Sequence, residues 1–468
     1  MSRSRPAWTF AIVSIALFMV VLDNLVVTNA LPSIRADLGA TIQSLEWTVN
    51  AYTLSYAVLL LTGAALGDRF GRRRMFLIGL GIFTAASAAA ALAPTTGALI
   101  AARAIQGVGA AIVTPLTLTL LADAFPTEKR GLAIGAWSGI SGLGVALGPV
   151  VGGMIVEGIS WHWIFWLNVP IGLALLPLAW RNLNESHGPA RSLDLPGVGL
   201  ASAGMLGLVY GIVRGSELGW TSTTVLASLT AGALLIAAFL AWESRAEEPM
   251  LPLRFFRSRA FSSVSVVSFS MYFGVFGSIF LLAQFFQVAQ GYSALEAGLR
   301  TLPWTAMPML VAPIAGLLSD RIGSRPLMAT GLALQSVAIA WLATVSSPTV
   351  PYGELVLPFV LAGTGMALVF APAANAVLAA VRPQEAGQAS GATNAIRELG
   401  GVLGVAVLAT VFATNGSYAS PQAYTDGMTS AIWVGAAVLA VGAIAALMVP
   451  GRRAQRTEVA ADAVPAAA

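Results

Sequence analysis

The chain has 468 residues, 57% of them apolar and only 10% charged, and its mean hydropathy is +0.79. A soluble chain of this length would need roughly a quarter charged residues to coat its domains, and this composition cannot supply them. The net charge of +4 sits in short turns and not in a basic stripe with interleaved aromatics, which speaks against nucleic acid. Cysteine is absent, and the two histidines, His162 and His187, stand far apart. No disulfide, metal site, nucleophile–base pair or phosphate-cradling glycine loop is expected, and no cofactor.

Apolar runs of about twenty residues, enough to cross about 30 Å of hydrocarbon, recur along the whole chain. In chain order the expected spans are 8–32, 48–67, 75–93, 97–121, 132–155, 162–180, 195–213, 222–242, 260–288, 301–318, 327–346, 354–380, 387–413 and 429–449. The short basic stretch before the first is expected to precede a retained span rather than a cleaved signal. With the N-terminus in the cytoplasm, 21 of the 25 Lys and Arg residues fall on the inside, and only Arg35, Arg214 and Arg300 outside. The even count puts both termini on the cytoplasmic side of a multi-pass cell-membrane protein.

The chain repeats itself. The turn Gly67-Asp68-Arg69-Phe70-Gly71-Arg72-Arg73 after span two matches Ser319-Asp320-Arg321-Ile322-Gly323-Ser324-Arg325 after span ten. Eight identities, from Gly131/Gly387 to Gly148/Gly404, recur at an offset of 256. The expected fold class is therefore an all-α polytopic membrane protein of two six-helix bundles plus two inserted helices, 14 transmembrane helices in all. Residues 1–180 form the first bundle, 181–258 the inserted pair, 259–450 the second bundle, and 451–468 a disordered cytoplasmic tail. Parallel six-helix halves suggest a transporter with its site between them, near the midplane.

Charges inside spans are costly and usually mark function. Asp23 lies about 13 Å from the outer end of span one, and Arg103 about 10 Å from the same surface in span four. The two are expected to face one polar cavity and to load and release a proton as they separate; a static ion pair that fixes packing is the plainer alternative. In the D-R-x-G turns, Asp68, Arg69, Gly71, Arg72, Arg73, Asp320 and Arg321 are candidates for a cytoplasmic gate, or simply positive-inside anchors. Gly144, Gly148 and Gly152, with Pro149 and Gly153, give span five a flat stripe that another helix can approach closely, expected to be a rocking seam between halves. Trp161, Trp163, Trp166 and Trp220 read as interfacial anchors.

These residues resemble the major facilitator superfamily, and within it the fourteen-span drug:proton antiporters of the EmrB/QacA type, over most of the chain. Leu22-Asp23 with Ala30-Leu31-Pro32 looks like the family's span-one motif, and Leu66–Arg73 like its first cytoplasmic loop. Arg103, Gln106, Gly107 and Gly109 look like its span-four motif, and Gly144 to Gly153 like the antiporter motif of span five. Trp161–Phe165 and Asn168-Val169-Pro170 resemble the lead into span six. The resemblance implies export of amphipathic compounds in exchange for protons by alternating access, by a monomer in the bilayer and with the proton gradient as energy source. It implies coupling roles for Asp23 and Arg103, gating by Asp68 and its arginines, and exchange through the span-five motif. Leu25 and Thr28 depart from the family's threonine and asparagine, with Asn29 one step later. Span ten has no acid before Asp320, so neutral, weakly basic or zwitterionic cargo fits better than dications. Asn29, Trp47, Tyr52, Gln106, Phe285, Asn394 and Glu398 are the candidate cavity residues. A small-metabolite transporter and a transport-inactive sensor are the competing readings.

Overall fold

The structure, a computed structural model, describes residues 6–187, 194–249, 251–381 and 386–451. The expected tail from 452 onward lies outside the described residues. The helices are α1 (Pro6–Leu38), α2 (Ile42–Phe70), α3 (Arg72–Ala91), α4 (Thr96–Ala124), α5 (Thr127–Gly158), α6 (Trp163–Trp166), α7 (Asn168–Asn182), α8 (Leu195–Leu218) and α9 (Thr223–Glu243). They continue with α10 (Arg259–Val288), α11 (Ala294–Thr305), α12 (Met307–Ile322), α13 (Ser324–Val345), α14 (Tyr352–Ala379), α15 (Ala386–Asn415) and α16 (Pro421–Leu447). Thirteen stretches among the described residues are long and apolar enough to cross a membrane. With its 32 residues, α5 reaches the same length. The sequence places single helices at spans six and ten. The structure interrupts each at a single residue, Leu167 and Ala306, both still with right-handed helical angles, and each stretch remains one membrane-crossing length.

Hydroxyl caps start many of these helices. Thr41 accepts the Ser44 N–H at 3.2 Å, Thr95 the Ala98 N–H at 3.2 Å, and Ser420 the Ala423 N–H at 3.1 Å. Ser293 and Glu296 form a reciprocal capping box on α11. Both D-R-x-G turns pass through a glycine of positive φ, +103° at Gly71 and +88° at Gly323, so the repeat is one of backbone shape as well as of letters.

In the first half, α2 and α3 pack on α4 and α1 packs on α5; in the second, α10 packs on α15 and α16, and α13 on α14 and α16. The halves meet where α5 touches α11, α2 touches α15, and α1 touches α10. The α8–α9 hairpin lies against one of these seams. Ala201, Met205, Val209 and Val213 of α8 share a cluster with Leu54 and Val58 of α2 and with Val402 and Ala406 of α15. Thr410 donates to the Ile212 carbonyl at 3.1 Å. The outer member, α9, leaves Leu226, Leu234, Leu240 and Trp242 exposed, as suits a helix that faces acyl chains. Trp161 is not an interfacial anchor: it is 4% exposed, stacked on His162 at 3.8 Å, and its indole N–H donates to Asp37 at 2.9 Å.

Contacts between the halves gather at the end where α1 joins α2. Gln287 of α10 donates to the Asn29 carbonyl of α1 at 3.0 Å, and Leu295 of α11 donates its N–H to Glu157 of α5 at 3.1 Å. A Cβ on Gly298 would stand 2.8 Å from the Pro149 carbonyl carbon, whereas one on Gly81 would meet nothing within 4 Å. Gly298→Ala should therefore cost about 1–3 kcal/mol by overpacking and lower the thermal unfolding midpoint of the purified protein. Gly81→Ala in the same assay should leave that midpoint unchanged or slightly raised.

Candidate functional site

Five helices bring polar groups to one buried point in the first half. Asp23 of α1 is 1% exposed, and Arg103 and Gln106, one turn apart on α4, are fully buried. Arg103 Nη1 donates to Asp23 Oδ2 and, at 2.7 Å, to Gln106 Oε1. Arg103 Nε donates to the Thr48 carbonyl of α2 at 3.2 Å. The other carboxylate oxygen, Asp23 Oδ1, accepts from Gln106 Nε2 at 2.8 Å and from Asn168 Nδ2 of α7 at 2.7 Å. Gln106 Nε2 also reaches Ser87 Oγ of α3 at 2.8 Å. The guanidinium lies 4.2 Å from the Tyr52 ring centroid and 5.7 Å from that of Phe165.

The arrangement is a charge-compensated carboxylate with donors on both oxygens, the form in which a buried ion pair is tolerable. Both side chains of the pair are sealed from solvent. The sequence places Asp23 and Arg103 in a shared polar cavity; in this conformation the structure shows a closed cluster instead. Asn168, Ser87 and the Thr48 carbonyl complete the cluster and were not singled out from the sequence, although Asn168 opens the quoted Asn168-Val169-Pro170 stretch.

The candidate gate is an intact charge network. Asp68 accepts from Arg72 Nε at 3.0 Å and Nη2 at 2.8 Å, and Arg72 Nη1 reaches Asp123 at 2.7 Å. Glu185, just past α7, accepts the N–H groups of Arg73 at 2.9 Å and Arg74 at 3.2 Å, and so caps α3 from 112 residues away. Ser186 accepts the Arg72 N–H at 2.9 Å and donates to Asp123 at 2.7 Å. Arg69 is exposed, as is Arg321 in the second turn. The side chain of Asp320 lies outside the described residues.

The span-five stripe faces inward within its own half. Gly144 lies against Val21, Gly148 against Leu25 and Gly152 against Val26, all on α1. Only Pro149 and Gly153 meet the other half, at Gly298 and at Ala294–Leu295 of α11. Asn29 donates to the Pro149 carbonyl at 2.6 Å. It lines a small cavity of about 10 Å³ with Thr28, Thr301, Trp304 and Phe359, room for about one water.

The remaining candidates are scattered. Trp47 packs on the α8 cluster. Phe285 is fully buried beside Phe286, with ring centroids 5.8 Å apart. Tyr52 lies beneath Arg103 and stacks on Tyr56 at 6.1 Å. Asn394 is exposed and accepts from Arg397 at 3.2 Å. Glu398, next in the chain, keeps one carboxyl oxygen sealed and without a hydrogen-bond partner.

The chain matches the family described as Major Facilitator Superfamily over residues 13–405 and 264–466. It is 34% identical to the tetracenomycin C resistance and export protein of Streptomyces glaucescens over 91% of this chain and 79% of that protein. It is 38% identical to the cephamycin export protein CmcT of Amycolatopsis lactamdurans, over 88% and 86%. It is 36% identical to the multidrug resistance protein Stp of Mycobacterium tuberculosis, over 86% and 75%. Among solved structures, a POT family transporter in complex with 5-aminolevulinic acid has a TM-score of 0.69 at 14% identity, over 93% of this chain and 94% of that one. A bacterial homolog of the lysosomal transporter Spinster has a TM-score of 0.66 at 18% identity, over the full length of both. At these identities the two structures bear on the fold alone.

Removing one member of the buried pair leaves the other charge uncompensated. Arg103→Ala should destabilise the protein by about 3–5 kcal/mol, read as a fall in the thermal midpoint. The double variant Asp23→Asn with Arg103→Gln should recover most of that loss.

Proposed function

The chain belongs to the major facilitator superfamily, and from that premise we propose that it exports amphipathic drugs or an antibiotic in exchange for protons, by alternating access. The observation that carries this reading is the Asp23–Arg103–Gln106–Asn168 cluster. A carboxylate sunk among membrane-spanning helices is retained at high cost, and here it is held by groups from several helices that could part. The relatives named for tetracenomycin C and cephamycin export, and for multidrug resistance, support the direction and class of cargo.

With the termini in the cytoplasm, the α1–α2 end faces outward, and the state seen is closed on that side. Cargo is released after this end opens. Opening loosens the cluster, Arg103 withdraws, and Asp23 takes a proton from outside. Closure then carries the proton inward, and the return of Arg103 expels it. The Asp68–Arg72–Asp123 network, braced by Glu185 and Ser186, is the cytoplasmic gate, and the α1–α5 stripe keeps the first half rigid while it rocks. The missing acid in span ten favours neutral, weakly basic or zwitterionic amphiphiles.

The test is accumulation of a fluorescent amphiphile, with a panel of antibiotics, in a pump-deficient bacterial host. Wild type should hold the dye out of the cell, and a protonophore should abolish that. Asp23→Asn should lose uphill export yet still bind dye in the purified state. Full uphill export by Asp23→Asn would sink the proposal.

A further inference from the structure

A second buried acid stands at the α1–α2 end, outside the cluster around Asp23. Glu46, just over a turn into α2, is 1% exposed, and Asn50, one turn on, is fully buried. Spaced at i,i+4, they share a face that continues through Leu54 and Val58, which pack on Val402 and Ala406 of α15. Leu54 and Val58 thus stand in the seam between the halves, about two and three turns along α2 from Glu46. Glu46 Oε2 and both amide atoms of Asn50 are sealed and have no hydrogen-bond partner. The contrast with Asp23, which has three donors, is complete.

Across the seam is Tyr418, in the loop between α15 and α16, within electrostatic reach of Glu46. Its hydroxyl donates to Gln284 Oε1 of α10, and its ring carries the Arg35 guanidinium of α1 at 4.2 Å. Other charged groups on the packed elements toward this end are Asp37 on α1, Arg214 and Glu217 near the end of α8, and Arg103 on α4, which is committed to Asp23. The final turns of α3 and the stretch of α15 from Val402 to Asn415 carry none. No cation among the described residues forms an ion pair with Glu46.

A carboxylate sealed without a counter-charge is heavily disfavoured, whereas the neutral acid offers an O–H that a nearby amide can accept. Parting the halves at this end admits water and reverses the preference. We propose that Glu46 is a proton-binding latch of the outward end: it holds a proton while that end is closed and gives it up to water when the end opens. The proposal rests on the alternating-access reading above. It adds a proton site that senses the outer medium directly: acid outside favours closure, and higher pH favours opening. For one linked proton, the closed-to-open ratio changes by up to about tenfold per pH unit.

The chain has no cysteine, so Ala36→Cys with Asn415→Cys gives a clean spin-label pair across this end. In the full-length protein carrying Asp23→Asn with Arg103→Gln, which removes the opposite proton uptake at Asp23, the short-distance population in lipid nanodiscs should fall as pH rises, approaching that slope. Glu46→Gln, which has the shape of the neutral acid, should stay closed at every pH, and Glu46→Asp should keep a pH response. An infrared pH titration should show a carboxylic-acid C=O band that Glu46→Gln removes. The same pH profile after Glu46→Gln is added to that background, an unchanged infrared band, or an end that never opens with pH in that background would overturn the latch. Dye export insensitive to protonophore would overturn the exchange reading alone, and the label distances would still decide on Glu46.

Discussion

A full negative charge inside a bundle of apolar helices must be answered on every side, and much of the first half is arranged around that demand. Asp23 takes a guanidinium from α4 and amides from α4 and α7, while α2 and α3 supply the carbonyl and hydroxyl that hold those donors in place. An ion pair built this way adds little to net stability and much to specificity of packing. It ties five separate segments to one geometry, which makes that geometry a natural point of control.

The two ends of the molecule are held by different means. At the α1–α2 end, close backbone approach at Gly298 and hydrogen bonds between α1 and α10 join the halves directly. At the α2–α3 end, the described contacts of the D-R-x-G turn stay within the first half, where Glu185 and Ser186 stiffen it. The corresponding second turn has the same left-handed glycine, and across it the hydroxyls of Ser319 and Ser324 hydrogen-bond at 3.0 Å. The sequence repeat is therefore one of backbone form as well as of letters.

The spans, the paired turns and the Asp23–Arg103 contact were legible in the sequence, because each is set by local features: run length, a glycine, and depth along a helix of known rise. What was not legible depends on which distant segment arrives. Glu185 caps a helix 112 residues earlier, and nothing in its neighbourhood announces that. The glycine stripe of α5 is plain in the letters, but its partner is not: α1 occupies most of it, and α11 only the Pro149–Gly153 end. Trp161 looks like an interfacial anchor until Asp37 is seen to take its N–H. The interruptions at Leu167 and Ala306 leave the backbone in right-handed helical angles while apolar content continues, so a hydropathy window passes over them.

The inserted hairpin has a consequence for how cargo dissolved in lipid can approach. Helix α8 covers the line where α2 meets α15 with a continuous apolar layer. A molecule diffusing among the acyl chains meets a wall on that flank, whatever the tilt of the halves, so long as the hairpin stays in place. The opposite flank is formed by α5 running past α11 and α12, and the seam is in this sense lined unequally on its two sides toward the bilayer.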